Sequence, residues 1–530
     1  MIPAVAGRQP GIELDVTLHA TLESPMPSTS RSSLALAFAL FLAGPAVAQP
    51  AGDPVRKFDA LAAKAFKDWG AVGLAVSVVK DGQTVFAKGY GVRELGKPDP
   101  VDENTLFAIG STTKALTAAA IGMLVDEGKL AWSDPVTKWL PGFQLIDPFV
   151  TREATVADLL THNLGLANGD VLWYETDLSP EEVLRRARFI PIAYSLRGGF
   201  IYQNIMYAAA GAVVASASGM PWERFIKERI FRPLGMSGAV TTLAETRSKP
   251  NVASPHDVVD GQVAVIDNAS VDAVAAAGSI WAGVADMARW ARFMIDSGRV
   301  DGKRLLQPDT WASLLSPQVL LPPSGFYPSA QLIKSPWNAY SRGWFMTAYG
   351  GHQLRFHTGS IAGMVAIIGI IPEAGFGVYV LGNLDHVEVR HALMLAAIDT
   401  WLGTGTRDWS ADLKTIYDGI AERQTAAIRR AEERRVTGTS PSRPLDAYVG
   451  SYADSLAGTV RVERRGESLR LITSSKREAT LEHWHFDTFR GRWERRGGGR
   501  STVTFHLDAS GAVRSLEMGG RTLGRVAGTH

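Results

Sequence analysis

Residues 110–114 read Gly-Ser-Thr-Thr-Lys, and an apolar run, Leu106-Phe107-Ala108-Ile109, leads into them. Beyond them Leu116, Ile121, Leu124 and Val125 recur at helical spacing and Gly128 supplies a stop. The pattern predicts a helix over residues 107–130 with Ser111 near its opening. Three residues is just under one helical turn, so Ser111 and Lys114 share a face. A serine hydroxyl attacks only when a base takes its proton, and a lysine amine can be that base once its pKa falls. Burial lowers it, as does the positive end of the helix that carries it. Taken alone, the same tetrad also describes a helix N-cap with a surface lysine.

Outward from this segment the chain changes texture in blocks. Before it, residues 73–91 read strand, turn, strand: Leu74, Val76 and Val78 alternate, and Asp81-Gly82 turns the chain toward Val85 and Phe86. After it, residues 150–300 are rich in helical segments such as 181–188 and 284–297. Strands return at Met364–Ile371 and 376–381, joined by Pro372-Glu373-Ala374-Gly375, and a helix follows over 392–402. Strands enclosing a helical middle predict an α/β (α+β) domain, with an antiparallel sheet and a helical subdomain, over residues 55–403. Residues 404–444 read as a helix marked by Leu413, Ile416, Tyr417 and Ile420, then a Gly/Ser/Pro linker. Residues 445–530 alternate in short strands broken by Arg465-Gly466 and Asp508–Gly511, which predicts a small all-β barrel or sandwich.

The amino-terminal 48 residues read as targeting sequence. Arg31 precedes an apolar run from Leu34 to Leu42, then Gly44-Pro45 and Ala46-Val47-Ala48, the parts of a secretory signal peptide. Residues 26–48 are therefore expected to be removed, with Met26 as the start and residues 1–25 as a mis-assigned leader; a leader with an uncleaved anchor is the alternative. The expectation is an exported protein, periplasmic or secreted, with no stable membrane anchor after signal removal. The absence of cysteine excludes disulfides and thiolate chemistry and suits export. With 55 basic and 53 acidic residues the net charge is +2, so no global field favours nucleic acid, and no nucleic-acid partner is expected.

Two further segments carry chemistry. Tyr202-Gln203-Asn204 follows Gly198-Gly199 and precedes an apolar helix. A phenol can shuttle a proton and an asparagine can hold an amide. His357-Thr358-Gly359-Ser360 precedes Ile361-Ala362-Gly363 and the strand that follows. Small residues on an edge strand admit a substrate backbone, and a basic side chain there can bind a carboxylate. Each segment alone also has an ordinary structural reading.

Together, Ser-x-x-Lys, Tyr-x-Asn and basic-Thr-Gly in this order resemble the serine β-lactamase and penicillin-binding protein superfamily. The nearest branch is the class C-like one that holds D-alanyl-D-alanine carboxypeptidases, D-aminopeptidases and esterases. The resemblance spans residues 55–403 and includes Leu159-Leu160-Thr161-His162, Gly165-Leu166 and Arg232-Pro233-Leu234-Gly235-Met236. It implies a β-lactamase-like antiparallel sheet flanked by helices, with the β-module, opened by Tyr448-Val449-Gly450-Ser451-Tyr452, as an appended barrel-like domain.

The resemblance also implies roles. Ser111 is acylated, Lys114 takes its proton, and Tyr202 acts beside it and later as acid. Asn204 holds the substrate amide, His357 supports the tyrosine or a substrate carboxylate, and the Thr358-Gly359-Ser360 strand binds substrate. The N–H groups of Ser111 and Ser360 form an oxyanion hole. Histidine at 357, where class C β-lactamases carry lysine, points to the peptidase and esterase side. The expected activity is hydrolysis of small peptides through an acyl-enzyme; the alternatives are a carboxylesterase and a peptidoglycan or β-lactam sensor without turnover. The expected partner is a small-molecule or peptide substrate, and the oligomeric state stays open. No H-E-x-x-H or comparable cluster appears, so no metal or cofactor is expected. His483-Trp484-His485 reads as ordinary strand, residues 429–435 as a solvated helix, and His162 as support for a loop near the site.

Overall fold

A computed structural model describes residues 53–322 and 326–526. The leader and signal-peptide readings, residues 1–25 and 26–48, lie outside the described residues. None of the described helices is long and apolar enough to cross a membrane.

The hydrolase-like part is built on an eight-stranded sheet. Its spatial order is Gln83–Gly91, Gly73–Lys80, Phe376–Gly382, Met364–Ile371, His352–Ile361, Phe345–Tyr349, Asn338–Tyr340 and Val319–Leu320. Every pairing is antiparallel. The first strand in chain order lies beside the last of this sheet, with Leu74 opposite Gly382 and Lys80 opposite Phe376. That closure explains why the three central strands read as unbroken apolar runs: both of their faces are covered. Ala366, Ile368 and Ile370 join the core shared with the helical part, while Val365, Ile367 and Ile371 join the one beneath helices Pro54–Asp68 and Val389–Leu402. The two-residue period of a strand thus divides one sheet between two cores.

The helical middle packs around Thr113–Asp126, which is buried over Thr113 to Leu124 and so belongs to the interior rather than to an amphipathic surface. The long helix expected over 107–130 is therefore shorter than its periodicity suggested. Phe107–Ala108 is a strand paired with Trp281–Ala282, and Gly110–Thr112 is a single 3₁₀ turn. Gly110 causes the break: its φ of +52° is incompatible with continuing an α-helix.

After the sheet domain, Trp409–Glu433 forms one long helix. The remainder is a closed eight-stranded barrel in which each strand pairs with the next and Tyr452 of the first lies opposite Arg525 of the last. Tyr452, Val460, Val462, Leu469, Leu471 and Leu481 fill it at alternating positions. Closure removes the edge strands that an open sandwich would leave.

Candidate active site

Ser111 sits in the 3₁₀ turn at the mouth of its helix, pressed against the His352–Ile361 strand. Two glycines make this possible. A Cβ on Gly359 would lie 1.9 Å from the Ile109 carbonyl oxygen, and one on Gly110 would lie 2.8 Å from Ser360 N. The serine-bearing backbone and the strand therefore touch through atoms that any side chain would push apart. The strand was expected to be an edge, and it is one over only half its length. Its first half pairs with Phe345–Tyr349, but that pairing ends at Phe356, leaving 357–361 paired only with Met364–Ile371. Ser111 keeps 6% of its surface exposed, whereas Lys114 has none. The Ser111 hydroxyl can be reached; the Lys114 amine cannot, except through it.

Lys114 Nζ lies 3.0 Å from Ser111 Oγ, 2.7 Å from Asn204 Oδ1 and 2.9 Å from the Ala277 carbonyl oxygen. Two of these neighbours can only accept, and the third is a hydroxyl that can also donate. A neutral amine satisfies all three, giving its two protons to the carbonyls and its lone pair to the serine. Burial favours that form, pushing the amine well below the usual lysine range, with the Asp170 carboxylate acting in the opposite sense. Asp170 accepts from Asn204 Nδ2 at 3.0 Å and from Trp173 Nε1 at 2.7 Å, so it fixes which way the asparagine faces. Asn204, expected to hold a substrate amide, thus commits its oxygen to Lys114 and one of its N–H groups to Asp170. Nothing in the sequence marked Asp170 beyond its place in an Asn-Gly-Asp turn.

The Tyr202 ring lies across this amine, with Nζ 4.8 Å from the ring centroid. Its Oη is buried without a hydrogen-bond partner among the described residues. Burial pushes the phenol well above its usual range, and the adjacent Ser111 hydroxyl offsets this in part. Hydroxyl and amine are therefore bonded, while the phenol sits beside the same hydroxyl without a closed hydrogen bond of its own.

His357 packs beside Tyr202, ring centroids 6.1 Å apart, but carries no charge for a substrate carboxylate. It is fully buried and neutral, held well below the usual histidine range by burial and by the nearby Lys114. Its Nδ1 lies 2.6 Å from the Thr358 carbonyl and so carries the proton; its Nε2 accepts from Tyr340 Oη at 3.0 Å. Tyr340 in turn accepts from His162 Nε2 at 3.2 Å, because His162 Nδ1 is occupied by the Gln203 N–H at 3.0 Å. A directed chain runs Gln203, His162, Tyr340, His357, Thr358, with every donor matched. No cation at 357 faces a substrate carboxylate. His162 also takes a left-handed backbone, φ 59°, and Tyr340 carried no signal in the sequence at all.

Thr358 and Ser360 point their side chains to the far face of the sheet. Thr358 Oγ1 bonds Tyr327 Oη at 2.6 Å and Ser360 Oγ accepts from Arg390 at 2.9 Å. Alternation along the strand sends the Thr358 side chain into the core, so this segment can meet a substrate only through its backbone.

The barrel reaches this site through residues 174–177, just after Asp170. Ser474 Oγ donates to the Glu175 carbonyl at 2.6 Å, Ser475 holds Asp177 through N–H and hydroxyl, and Arg495 and Arg477 flank the Glu175 carboxylate. The sequence gave no register for this contact, since it joins residues some 300 positions apart.

Residues 58–399 match the Beta-lactamase family model, and residues 434–523 match a domain of unknown function, DUF3471. The chain is 28% identical over 425 residues to an unguisins hydrolase of Aspergillus violaceofuscus, covering 73% of each chain. It is 27% identical over 321 residues to penicillin-binding protein 4 of Amycolatopsis lactamdurans, covering 59% of this chain and 80% of that one. In fold it is similar to the octameric penicillin-binding protein homologue from Pyrococcus abyssi, with TM-score 0.58, 23% identity and coverage of 88% and 99%. It is also similar in fold to the D-amino acid amidase from Ochrobactrum anthropi SV3, with TM-score 0.54, 23% identity and coverage of 65% and 99%. A family match over more than half the chain, on a sheet and helix arrangement of this kind, makes the protein a member of the beta-lactamase family of serine hydrolases, with a DUF3471 barrel behind the hydrolase domain.

Proposed function

We propose that this protein is a peptidase or amidase that hydrolyses small peptides through an acyl-enzyme on Ser111. The observation that carries the proposal is the 3.0 Å approach of a fully buried Lys114 to the Ser111 hydroxyl, with the other two neighbours of the amine able only to accept. In that arrangement Ser111 Oγ–H gives its proton to the Nζ lone pair as Oγ attacks the substrate carbonyl carbon. The carbonyl oxygen becomes an oxyanion held by the N–H groups of Ser111 and Ser360. Collapse breaks the C–N bond, and the leaving nitrogen takes a proton from Tyr202 Oη, which is re-protonated from Lys114. Water then gives a proton to the Lys114 Nζ lone pair as its oxygen attacks the ester carbon, and the C–Oγ bond breaks as Ser111 Oγ takes that proton back. The buried Tyr202 Oη has no hydrogen bond of closed geometry and lies beside Ser111, where it can meet a substrate nitrogen. Amide over ester is favoured by the D-amino acid amidase among the proteins of similar fold, and an unguisins hydrolase among the sequence relatives supports hydrolysis without naming the bond. Export to the periplasm or medium, with the signal-like segment removed, is proposed on the amino-terminal sequence alone.

The test is mass spectrometry of the protein after a fluorophosphonate and after a penicillin, followed in time. A fluorophosphonate adduct on the Ser111 peptide and turnover of D- or L-amino acid amides support the proposal, and Ser111→Ala abolishes both. A penicillin adduct that persists, with no amide or ester turnover, identifies a sensor instead; turnover confined to p-nitrophenyl esters identifies an esterase.

A further inference from the structure

Arg390 is buried, with 3% of its surface exposed, one residue into the helix that follows the last strand of the sheet. Its Nε and Nη2 grip Glu388 in a two-point ion pair at 3.0 and 2.9 Å. Its Nη1 donates to three oxygens of the sheet: the Gly359 carbonyl at 2.5 Å, Ser360 Oγ at 2.9 Å and the Ala366 carbonyl at 3.2 Å. Ile361 and Met364 close a two-residue hairpin and so form a hydrogen-bonded pair; Gly359 and Ala366, two positions on, form the next, and the Gly359 carbonyl points toward the Met364–Ile371 strand. No described peptide bond is cis. In a trans peptide the N–H points opposite to the C=O, so the Ser360 N–H points the other way, toward Gly110 and Ser111. The 2.8 Å from Ser360 N to a Cβ built on Gly110 agrees.

We propose that Arg390 is a positioning residue for the oxyanion hole: it pins and polarises the Gly359–Ser360 peptide from behind, so that the Ser360 N–H is aimed and strengthened as a donor. The inference rests on the assignment of that N–H to the oxyanion hole under the proposed function. A guanidinium on a carbonyl oxygen draws electron density out of the peptide unit and leaves its N–H more positive, the polarisation that makes chained hydrogen bonds cooperative. Stability alone does not account for the pair, since a buried ion pair replaced by well-packed apolar groups is often neutral or stabilising. The Glu388 carboxylate offsets the desolvation of the guanidinium, and it is bound at the two nitrogens remote from the peptide.

Three variants separate this role from scaffolding. Arg390→Met with Glu388→Gln removes both charges and leaves no lone buried ion. Arg390→Met alone removes the donor, and Arg390→Lys keeps the charge with a single contact. The readouts are the acylation rate of an amide substrate, its KM, and the Kd of phenylboronic acid, whose adduct with a serine carries an oxygen in the oxyanion position. The double variant is expected to acylate about 10- to 50-fold more slowly, a fraction of the loss from removing a whole oxyanion donor. Boronate affinity should fall in step while KM moves less than about threefold, and Arg390→Lys should recover part of both. Unchanged acylation and boronate affinity in folded protein would overturn the proposal, as would a rate loss matched by KM and by the folded fraction. Should the double variant fail to fold, the Arg390→Lys comparison decides on the same readouts. The underlying reading fails differently: Ser111 would then take no fluorophosphonate in the unaltered protein.

Discussion

Two buried polar chains flank the cleft, one through Lys114 and one through Tyr340, and they treat a proton in opposite ways. In the first, the amine has two obligate acceptors and one hydroxyl that can point either way, so it can gain or lose a proton without orphaning any atom. In the second, Gln203 N–H, His162, Tyr340, His357 and the Thr358 carbonyl are matched donor to acceptor along their length, and protonating either imidazole breaks a bond. Burial depresses the pKa of all three basic groups. Low pKa alone therefore does not mark a catalytic base; freedom to change state without an unsatisfied partner does.

The contrast breaks most visibly at the amine. Lys114→Met is expected to lower kcat/KM by about 10³-fold, the range for loss of a general base, with the fold intact by circular dichroism. Retention of a tenth of the activity would remove Lys114 from the base role. Tyr340→Phe should act chiefly on stability: it orphans His162 Nε2–H and His357 Nε2, at a cost of about 2–4 kcal/mol in urea unfolding. Its kcat/KM should fall only about 10-fold, and the acid limb of its pH profile should stay in place.

Acid titration sharpens the comparison. His162, His357 and His391 have folded pKa values below the unfolded value, His391 at about 3. As pH falls below the unfolded histidine value the unfolded chain binds protons first, so stability is fully present above that value and lost beneath it. Each histidine steepens the loss by about 1.4 kcal/mol per pH unit until its folded pKa is reached. His357→Gln should remove one such increment from the slope measured by urea titration between pH 6 and 4.5; an unchanged slope would mean that the imidazole is not held neutral.

Asp170→Asn tests the other chain more gently. Its charge is the main term opposing desolvation of Lys114, so its loss lowers the amine pKa further. The acid limb of kcat/KM should move to lower pH, with the plateau changed less than the limb. A shift to higher pH would place the titrating base elsewhere. Smallest of all, Arg495→Ala releases one of the two guanidinium groups on Glu175, five residues beyond Asp170. A loss of about two- to threefold in kcat/KM is expected, on the scale of a partly exposed ion pair; no effect even when Arg477 is also removed would confine the barrel to a role outside catalysis.

Much of this molecule can be read from residue order. The apolar run Met364–Ile371, the turn at Pro372 to Gly375 and the strand after it announce a buried hairpin because strands covered on both faces need no polar alternation. The Ser111 to Lys114 spacing announces a shared helical face. Periodicity overran at residues 107–112 because it registers which side is apolar and does not register a glycine forced to positive φ by a strand more than 240 residues away. The direction of His357 was equally hidden, since a strand residue faces a core or a cleft only once its neighbours are known.

Residue order was enough for the local alphabet: most of the strands and helices, the placement of Ser111 and Lys114 on one turn, and the β-character of the last 85 or so residues. Only the tertiary structure decided which polar atoms meet. Asp170 behind Asn204, Tyr340 between two histidines and Arg390 behind the Gly359 carbonyl are contacts across 34, 178 and 31 positions of chain. The physical reason is range. Backbone propensity and side-chain period act over a few residues, whereas desolvation and hydrogen-bond matching act on whatever the packed sheet brings within about 3 Å.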